Sequence, residues 1–169
     1  FAVNGEGEPL PDSLFDRMYA ARDFGLASGT ARQLGFAAIS YALYQSDPAD
    51  FELDTLTAEI EREYSAFEPV PDTHMYASFG HLEGYASNYY TYQWSLAIAS
   101  DMFSRFEQQG LRNRAVAAEY RDRVLAAGGS RPAAELVRDF LGRDYTIEAY
   151  VQRLQQANSS YQLRAELSE

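Results

Sequence analysis

Apolar residues recur three and four positions apart along most of the chain, and the longest such run lies within residues 79–106. This spacing is typical of amphipathic helices, because residues three and four apart share one face of a helix. No segment alternates regularly between apolar and polar residues, as a half-buried strand would. The pattern therefore predicts an all-α fold of about seven helices joined by short connections.

Capping residues, prolines and glycines set the expected helix boundaries. The predicted helices cover residues 14–24, 31–45, 56–67, 85–109, 113–127 and 132–141, and a last one follows Thr146. The side chains expected to cap helices are Asp12 or Ser13, Ser28 or Thr30, Thr55, Ser130 and Thr146. The glycines expected to end helices are Gly110, Gly128 with Gly129, and Gly142. The second helix is apolar on most sides, which predicts deep burial.

Composition narrows the class of protein. The 169 residues suffice for one domain with a real core or for a large part of a bigger domain, and we treat residues 1–169 as a single helical segment. The absence of cysteine excludes disulfides and thiolate metal sites. A formal net charge of -11 argues against nucleic-acid binding. No apolar run approaches the roughly 20 residues that a transmembrane helix requires, so no membrane span is expected.

The chain begins at Phe1 rather than at a methionine. Its first residues also lack the basic region and following apolar stretch that mark a signal peptide. We therefore expect the chain to begin within a longer protein or to follow processing of one. Neither feature selects a cellular compartment.

The run within residues 79–106 also holds the densest group of polar aromatic side chains. His81 and Gly84 come first, and three tyrosines follow at positions i, i+4 and i+7: Tyr85, Tyr89 and Tyr92. On a helix these phenols share one face, which directs Tyr90 and Trp94 elsewhere, into packing. The row is therefore either core packing or a set of hydrogen-bond donors that faces a cleft.

Two histidines, His74 and His81, are the complete imidazole supply of the sequence. A zinc site on a helix typically uses two histidines at i and i+4 with a third ligand, and this spacing is absent. Independent metal catalysis through His74, His81 and a further carboxylate is therefore a minor alternative. Asp101 lies in the middle of an apolar helix, where burial requires a partner, so we expect an arginine or backbone amides to pair with it.

The aromatic run reads His81, Gly84-Tyr85, Tyr89-Tyr90-Thr91-Tyr92-Gln93-Trp94 and then Asp101-Met102-Phe103. Further short motifs are GEGEPLPDSL at residues 5–14, TARQL at 30–34, YR followed by GGS within 120–130, and DFLGR at 139–143. Together, and in this order, they resemble the C-terminal part of the thimet oligopeptidase family, which includes neurolysin, oligopeptidase A and bacterial peptidyl-dipeptidases. The resemblance covers nearly the whole chain.

This resemblance implies a mostly helical zinc metallopeptidase that hydrolyses short peptides in a deep channel between two halves. The family holds its zinc with an HExxH motif and a downstream glutamate, which the resemblance places upstream of Phe1. The chain is then a C-terminal segment that is inactive alone. Its expected partners are short peptide substrates and the upstream HExxH segment, and an exposed apolar face could also form a dimer. Family members occur in the cytoplasm, the periplasm and organelles, so the compartment stays open.

The resemblance also implies roles for individual residues. Tyr92 and Tyr85 would donate hydrogen bonds to the scissile carbonyl and its oxyanion, and His81 would donate to the substrate backbone. Tyr89 and Gly84 would contact substrate, and no residue of the chain is expected to bind metal. A neutral phenol in a water-poor cleft suits such a role because it is a preorganised donor. The alternative function, from another class, is a non-catalytic helical interaction module that keeps the fold without the chemistry.

Overall fold

The computed structural model describes residues 3–166, with side chains through residue 157. Within this range the chain is all-α, as predicted, and its one pair of bridged extended residues is Val3 with Pro9. The helices are α1 (Asp12–Ala21), α2 (Leu26–Gln45), α3 (Leu53–Tyr64), α4 (Met75–Ser78), α5 (His81–Gly84), α6 (Thr91–Gln109), α7 (Arg114–Tyr120), α8 (Ala133–Leu141) and α9 (Glu148–Glu166). Seven of them correspond to the seven predicted helices, whereas α4 and α5 are single turns in a segment expected to be irregular.

The first two helices begin earlier than predicted. Pro11 precedes α1, and its φ of -57° already suits a helix start. Gly25 precedes α2 with a φ of 72°, a left-handed conformation that glycine adopts without strain. The predicted caps are therefore wrong, because the following residues lie inside the helices: Asp12, Ser13, Ser28 and Thr30.

The start of α3 was also predicted too late. Glu52 caps this helix by accepting hydrogen bonds from the backbone N–H groups of Asp54, at 3.3 Å, and Thr55, at 2.9 Å. These bonds hold the pKa of the Glu52 carboxyl below its ordinary value. Thr55 therefore lies within the first turn, and its hydroxyl donates to the same carboxylate.

Later boundaries were predicted more closely. Gly110 and Gly142 end α6 and α8 as expected, both with positive φ. Pro132, rather than Ser130, occupies the cap position of α8, and Ser130 lies in a preceding 3₁₀ turn. The predicted helix over residues 113–127 is α7 followed by a π-helical turn, Arg121–Leu125.

The start of α6 is the largest departure from the sequence-based expectation. The helix was expected from residue 85 but begins at Thr91. Ser87 adopts a φ of 58°, which a right-handed helix does not accommodate. Tyr85 and Tyr89 therefore precede α6, and the prediction that Tyr85, Tyr89 and Tyr92 share one helical face is wrong.

Helix α6 lies at the centre of the packing and contacts α2, α7, α8 and α9, while α3 packs along α2. A Cβ added at Gly35 would lie 3.0 Å from the Tyr64 Cβ, so the close approach of α2 to α3 requires a residue without a side chain. The prediction that α2 is deeply buried is wrong for part of the helix. Ile39 and Ser40 are buried, whereas Tyr41 is 54% exposed. The buried apolar residues are Ala37, Ile39, Ala97, Val116, Leu136, Val137, Phe140 and Ala157.

An ion pair with a buried carboxylate joins α6 to the connection before α9. Asp101 is 2% exposed, and both of its carboxylate oxygens accept from Arg143 at 2.7 Å. The backbone N–H of Thr146 also donates to it, at 2.9 Å. The hydrogen bonds from Arg143 lower the pKa of Asp101, and burial opposes them. This confirms the prediction that an arginine or backbone amides pair with Asp101, and the structure has both kinds of partner.

Large apolar side chains stay exposed on the outer helices. Phe15 and Met18 of α1 are exposed by 53% and 58%, and Phe24 between α1 and α2 by 74%. An open groove of about 1520 Å³ runs between α1, α6 and α9 and includes Tyr19 and Phe103. Among the helices of residues 3–166, none combines the length and apolar character needed to cross a bilayer.

Candidate functional site

His81 is the centre of a group of aromatic rings at the surface of the molecule. Its imidazole lies 5.9 Å from the ring centroid of Tyr85, 5.1 Å from that of Tyr89 and 5.9 Å from that of Tyr92. The rings of Tyr89 and Tyr92 also contact each other, at 5.1 Å. We call these four residues the His81 cluster. The structure thus brings together the histidine and the three tyrosines that the sequence singled out.

A loop, rather than one helical face, produces this convergence. The single turn of α5 places His81 and Tyr85 next to each other, because the Tyr85 N–H donates to the His81 carbonyl at 2.9 Å. The Asn88 N–H then donates to the Tyr85 carbonyl at 3.0 Å, and Ser87 takes its left-handed conformation between them. The chain therefore turns back on itself, and the tyrosines at the start of α6 return to the imidazole.

The two outer phenols of the cluster are open to solvent. Tyr92 is 56% exposed, and its hydroxyl lies 3.3 Å from Nε2 of His81. Tyr85 is 63% exposed, and among the described residues its hydroxyl has no hydrogen-bond partner. Both hydroxyls are therefore available to a molecule bound against the cluster.

Tyr89 has a different environment from its two neighbours. Its ring meets Phe79 edge-on at 5.0 Å and Phe36 of α2 at 5.8 Å. Its hydroxyl donates to Oε1 of Gln33, also on α2, at 2.9 Å. Burial raises the pKa of Tyr89, and the neighbouring Tyr92 adds to the rise. Tyr89 is therefore a neutral anchor whose proton is already donated within the chain.

Comparison with known proteins places this arrangement in a family. Residues 2–156 match the model of peptidase family M3. The chain belongs to peptidase family M3. It is 36% identical over 152 residues to Oligopeptidase A of Escherichia coli, a match that covers 86% of this chain and 22% of that protein.

Other relatives give the same result, and we call the chain the M3 segment from here on. Over 138 residues the M3 segment is 36% identical to Thimet-like oligopeptidase of Dictyostelium discoideum, covering 79% of the segment and 20% of that protein. Over 148 residues it is 28% identical to Mitochondrial intermediate peptidase of Rattus norvegicus, covering 88% of the segment and 21% of that protein. The segment therefore spans about a fifth of the length of the curated relatives that it matches.

Gly84 lies at the open side of the M3 segment's aromatic cluster. Its φ is not positive, and a Cβ added to it would meet no atom within 4 Å. The backbone and packing of the described residues therefore do not require glycine here. The adjoining turn is fixed from outside, since the Tyr44 hydroxyl of α2 donates to the Leu82 carbonyl.

Tyr90 and Trp94, which were expected to enter packing, are each about half exposed. Trp94 meets the Tyr145 ring edge-on at 6.2 Å and is 55% exposed. Tyr90 directly precedes α6 and is 49% exposed. Neither ring contacts the imidazole of His81, so both stand apart from the cluster in the M3 segment.

The two histidines of the M3 segment have separate partners. His74 Nδ1 lies 2.6 Å from Oδ1 of Asp54, and the Tyr76 hydroxyl donates to the same oxygen at 2.8 Å. These bonds hold the pKa of Asp54 below its ordinary value. Among the described residues no group of three or more histidine, aspartate or glutamate side chains is arranged to hold a metal ion. The side chains described here therefore do not fit a zinc site.

Sequence reasoning missed the contribution of α2 to the site. Gln33 accepts the Tyr89 proton, Phe36 packs on the Tyr89 ring, and the Arg32 guanidinium lies over Phe36 at 5.2 Å. The first two of these contacts join residues more than fifty positions apart. The signal in the sequence was the TARQL motif, which includes Arg32 and Gln33 but was used only for the resemblance.

Proposed function

We propose that this segment supplies the substrate-facing phenols of a zinc-dependent oligopeptidase that hydrolyses short peptides. The observation that carries the proposal is the convergence of Tyr85 and Tyr92 on His81, with both hydroxyls exposed. A phenol that is fixed by ring packing, and whose proton no carbonyl or carboxylate of the chain accepts, is a preorganised donor. The match to peptidase family M3 supports peptide hydrolysis as the reaction that uses it.

In this proposal Tyr92 and Tyr85 donate hydrogen bonds to the carbonyl oxygen of the scissile peptide bond. As water adds to the carbonyl carbon, that oxygen gains negative charge, and the two donors stabilise it. The Nε2–H of His81 donates to the Tyr92 oxygen, 3.3 Å away, until a peptide binds and then donates to the substrate backbone, and in both cases the Tyr92 proton stays free for the carbonyl oxygen. Tyr89 forms the wall behind them, and the open space at Gly84 lets a peptide backbone approach.

We place the zinc ligands and the group that activates water outside this chain. The described side chains offer no cluster that fits a metal, and the chain spans about a fifth of its relatives' length. The remaining part of the enzyme would also cover exposed apolar residues such as Phe15 and Met18. The chain alone is then inactive, and activity requires the complete enzyme.

The test is a Tyr92→Phe substitution in the complete family M3 enzyme that carries this segment. Loss of one preorganised donor to an oxyanion typically lowers kcat by about 10²–10³. We expect a decrease of at least tenfold in kcat and little change in KM, measured by steady-state hydrolysis of a short peptide, because the bond strengthens in the transition state. Tyr90→Phe is the matched control, since it removes a neighbouring phenol outside the His81 cluster.

Two outcomes would contradict the proposal. An unchanged kcat in Tyr92→Phe would remove the assigned role from this hydroxyl and favour a non-catalytic helical module. Peptide hydrolysis by the purified 169-residue chain alone would show that the catalytic groups lie within it after all.

A further inference from the structure

Arg32 is held at the edge of the His81 cluster by an aromatic ring. Its guanidinium carbon lies 5.2 Å from the centroid of Phe36, one turn further along α2. The Phe36 ring in turn contacts Phe79 at 5.4 Å and Tyr89 at 5.8 Å. A cation over an aromatic face is attracted by the ring, so this stacking fixes the position of the charge.

The charge of Arg32 reaches the cluster itself. Arg32 counteracts the rise in the pKa of Tyr89, which means that its positive charge is close enough to favour the phenolate. The next residue, Gln33, binds the Tyr89 hydroxyl directly. The guanidinium therefore lies close to the Tyr89 side of the His81 cluster.

No carboxylate among the described residues pairs with Arg32, although the chain carries 25 acidic residues. Eight other arginines of the described residues do have such partners, for example Arg22 with Asp23, Arg105 with Glu119 and Arg143 with Asp101. Arg32 is exposed, and stacking occupies only the face of its guanidinium. The N–H groups at its edge stay available, and their fork matches the two oxygens of a carboxylate.

We propose that Arg32 recognises a carboxylate of the peptide that binds against the His81 cluster. This inference rests on the proposed function and adds a specificity determinant to it. The carboxylate is either the C-terminal group of a short peptide or the side chain of an aspartate or glutamate within it. Both present the same planar, charged acceptor pair, so the experiment distinguishes them.

The experiment compares Arg32→Gln with the unchanged complete enzyme on three matched peptides. The first has a free C-terminus and one internal glutamate, the second replaces that glutamate with glutamine, and the third instead has an amidated C-terminus. Arg32→Gln removes hydrogen bonds to a charged group. For peptides that keep the recognised carboxylate, this should lower kcat/KM by roughly 10- to 100-fold. The loss should appear mainly in KM, because the contact does not change as the reaction proceeds.

Only the peptide that lacks the recognised carboxylate should be cleaved equally by Arg32→Gln and the unchanged enzyme. Equal rates on the amidated peptide identify the C-terminal group, and equal rates on the glutamine peptide identify the side chain. Arg32→Lys should recover part of the loss, since it restores the charge without the fork. The matched control is Arg62→Gln, an exposed arginine of α3 that pairs with Glu68.

An equal loss on all three peptides, or no loss on any, would overturn the inference. An equal loss together with a lower unfolding temperature would assign Arg32 to packing against the rest of the enzyme. The inference and the proposed function fail separately. An unchanged kcat in Tyr92→Phe removes the oxyanion role, whereas an unselective Arg32→Gln removes only carboxylate recognition.

Discussion

The two halves of α6 treat their polar groups in opposite ways. Asp101, in the middle of the helix, is 2% exposed and accepts three hydrogen bonds from Arg143 and Thr146. Tyr92, in the first turn, is 56% exposed, and its hydroxyl reaches only the imidazole of His81. The Asp101 carboxylate is thus fully hydrogen-bonded within the chain. The Tyr92 hydroxyl is fixed in position but can still form hydrogen bonds with another molecule, as a group in a binding site must.

Aromatic geometry alone would not separate these regions. Around the second half of α6, Phe106, Tyr120 and Phe140 have ring centroids 5.4–6.0 Å apart. Around the first turn, the rings that surround His81 lie 5.1–5.9 Å from it. Phe140, however, is 1% exposed, whereas the outer phenols of the His81 cluster are more than half exposed. Exposure and unused hydrogen bonds, rather than ring contacts, distinguish the candidate site from the core.

The largest expected change in stability comes from removing the buried carboxylate. Asp101→Ala should lower the free energy of unfolding by about 2–3 kcal/mol, somewhat less than a fully buried pair because water still reaches the exposed side of Arg143. Tyr92→Phe should change it by less than about 0.5 kcal/mol, as expected for an exposed position. Urea unfolding of the 169-residue chain, followed by circular dichroism, measures both.

Asp144→Ala is the matched control for that measurement, because Asp144 pairs with Arg138 at the surface. Exposed pairs of this kind contribute about 0–1 kcal/mol. If Tyr92→Phe destabilised the chain as much as Asp101→Ala, the hydroxyl would be structural and the contrast between the halves of α6 would be lost.

The sequence predicted the helices better than their beginnings. Apolar spacing identified all seven long helices, and Gly110 and Gly142 marked two ends correctly. The start of α6 was misplaced because nothing in the sequence shows that Ser87 adopts a positive φ, a conformation that serine seldom takes. The neighbouring turn of α5 is tied to α2 through the bond from Tyr44 to the Leu82 carbonyl, and a contact between residues so far apart in sequence does not appear in a local helical pattern.

Burial chemistry predicted that Asp101 would have a partner but not that the partner would be Arg143, which is 42 residues away. The candidate site has the same limit, because its partners distant in sequence were not predicted. The tyrosine motif singled out His81, Tyr85, Tyr89 and Tyr92, whose rings the structure brings together, but it gave no sign of the α2 side of this cluster. Gln33 reaches Tyr89 across 56 positions of sequence, and only the packing of α2 beside this loop brings them together. A single sequence does not show which residues so far apart in the chain come into contact.

Acid should sharpen the contrast by acting on one half of α6 only. Because Arg143 lowers the pKa of Asp101 in the folded chain, the ion pair stabilises the fold fully above the ordinary aspartate pKa of about 3.9. That stabilisation is lost as the pH falls through the lowered, folded-state value. The difference in unfolding free energy between the unchanged chain and Asp101→Asn should therefore be constant above about pH 5 and shrink below about pH 4.

Tyr92→Phe is the reference for the acid measurement, since its difference from the unchanged chain should not vary over this range. Urea unfolding at a series of pH values gives both differences. A constant Asp101→Asn difference down to the lowest pH would mean that the carboxylate does not lose its proton preferentially in the folded state, which contradicts the ion pair as described.

The smallest expected effect concerns Tyr89, which belongs to both kinds of region. Tyr89→Phe keeps the ring against Phe36 and Phe79 but removes the 2.9 Å hydrogen bond to Gln33. A half-buried bond of this type contributes about 1 kcal/mol, so unfolding should become easier by that amount. Combining Tyr89→Phe with Gln33→Ala should cost less than the sum of the single changes, because both remove the same bond.

The same substitution separates anchoring from donation in the complete enzyme. Since the Tyr89 proton is already donated to Gln33, Tyr89→Phe should lower kcat by no more than a few-fold, well below the effect of Tyr92→Phe. Steady-state kinetics on one peptide gives both values. A loss in Tyr89→Phe equal to that in Tyr92→Phe, with unfolding unchanged, would show that Tyr89 gives its proton to substrate. The anchor would then count as a third donor, and the division between satisfied and open hydroxyls would no longer identify the residues that act on the substrate.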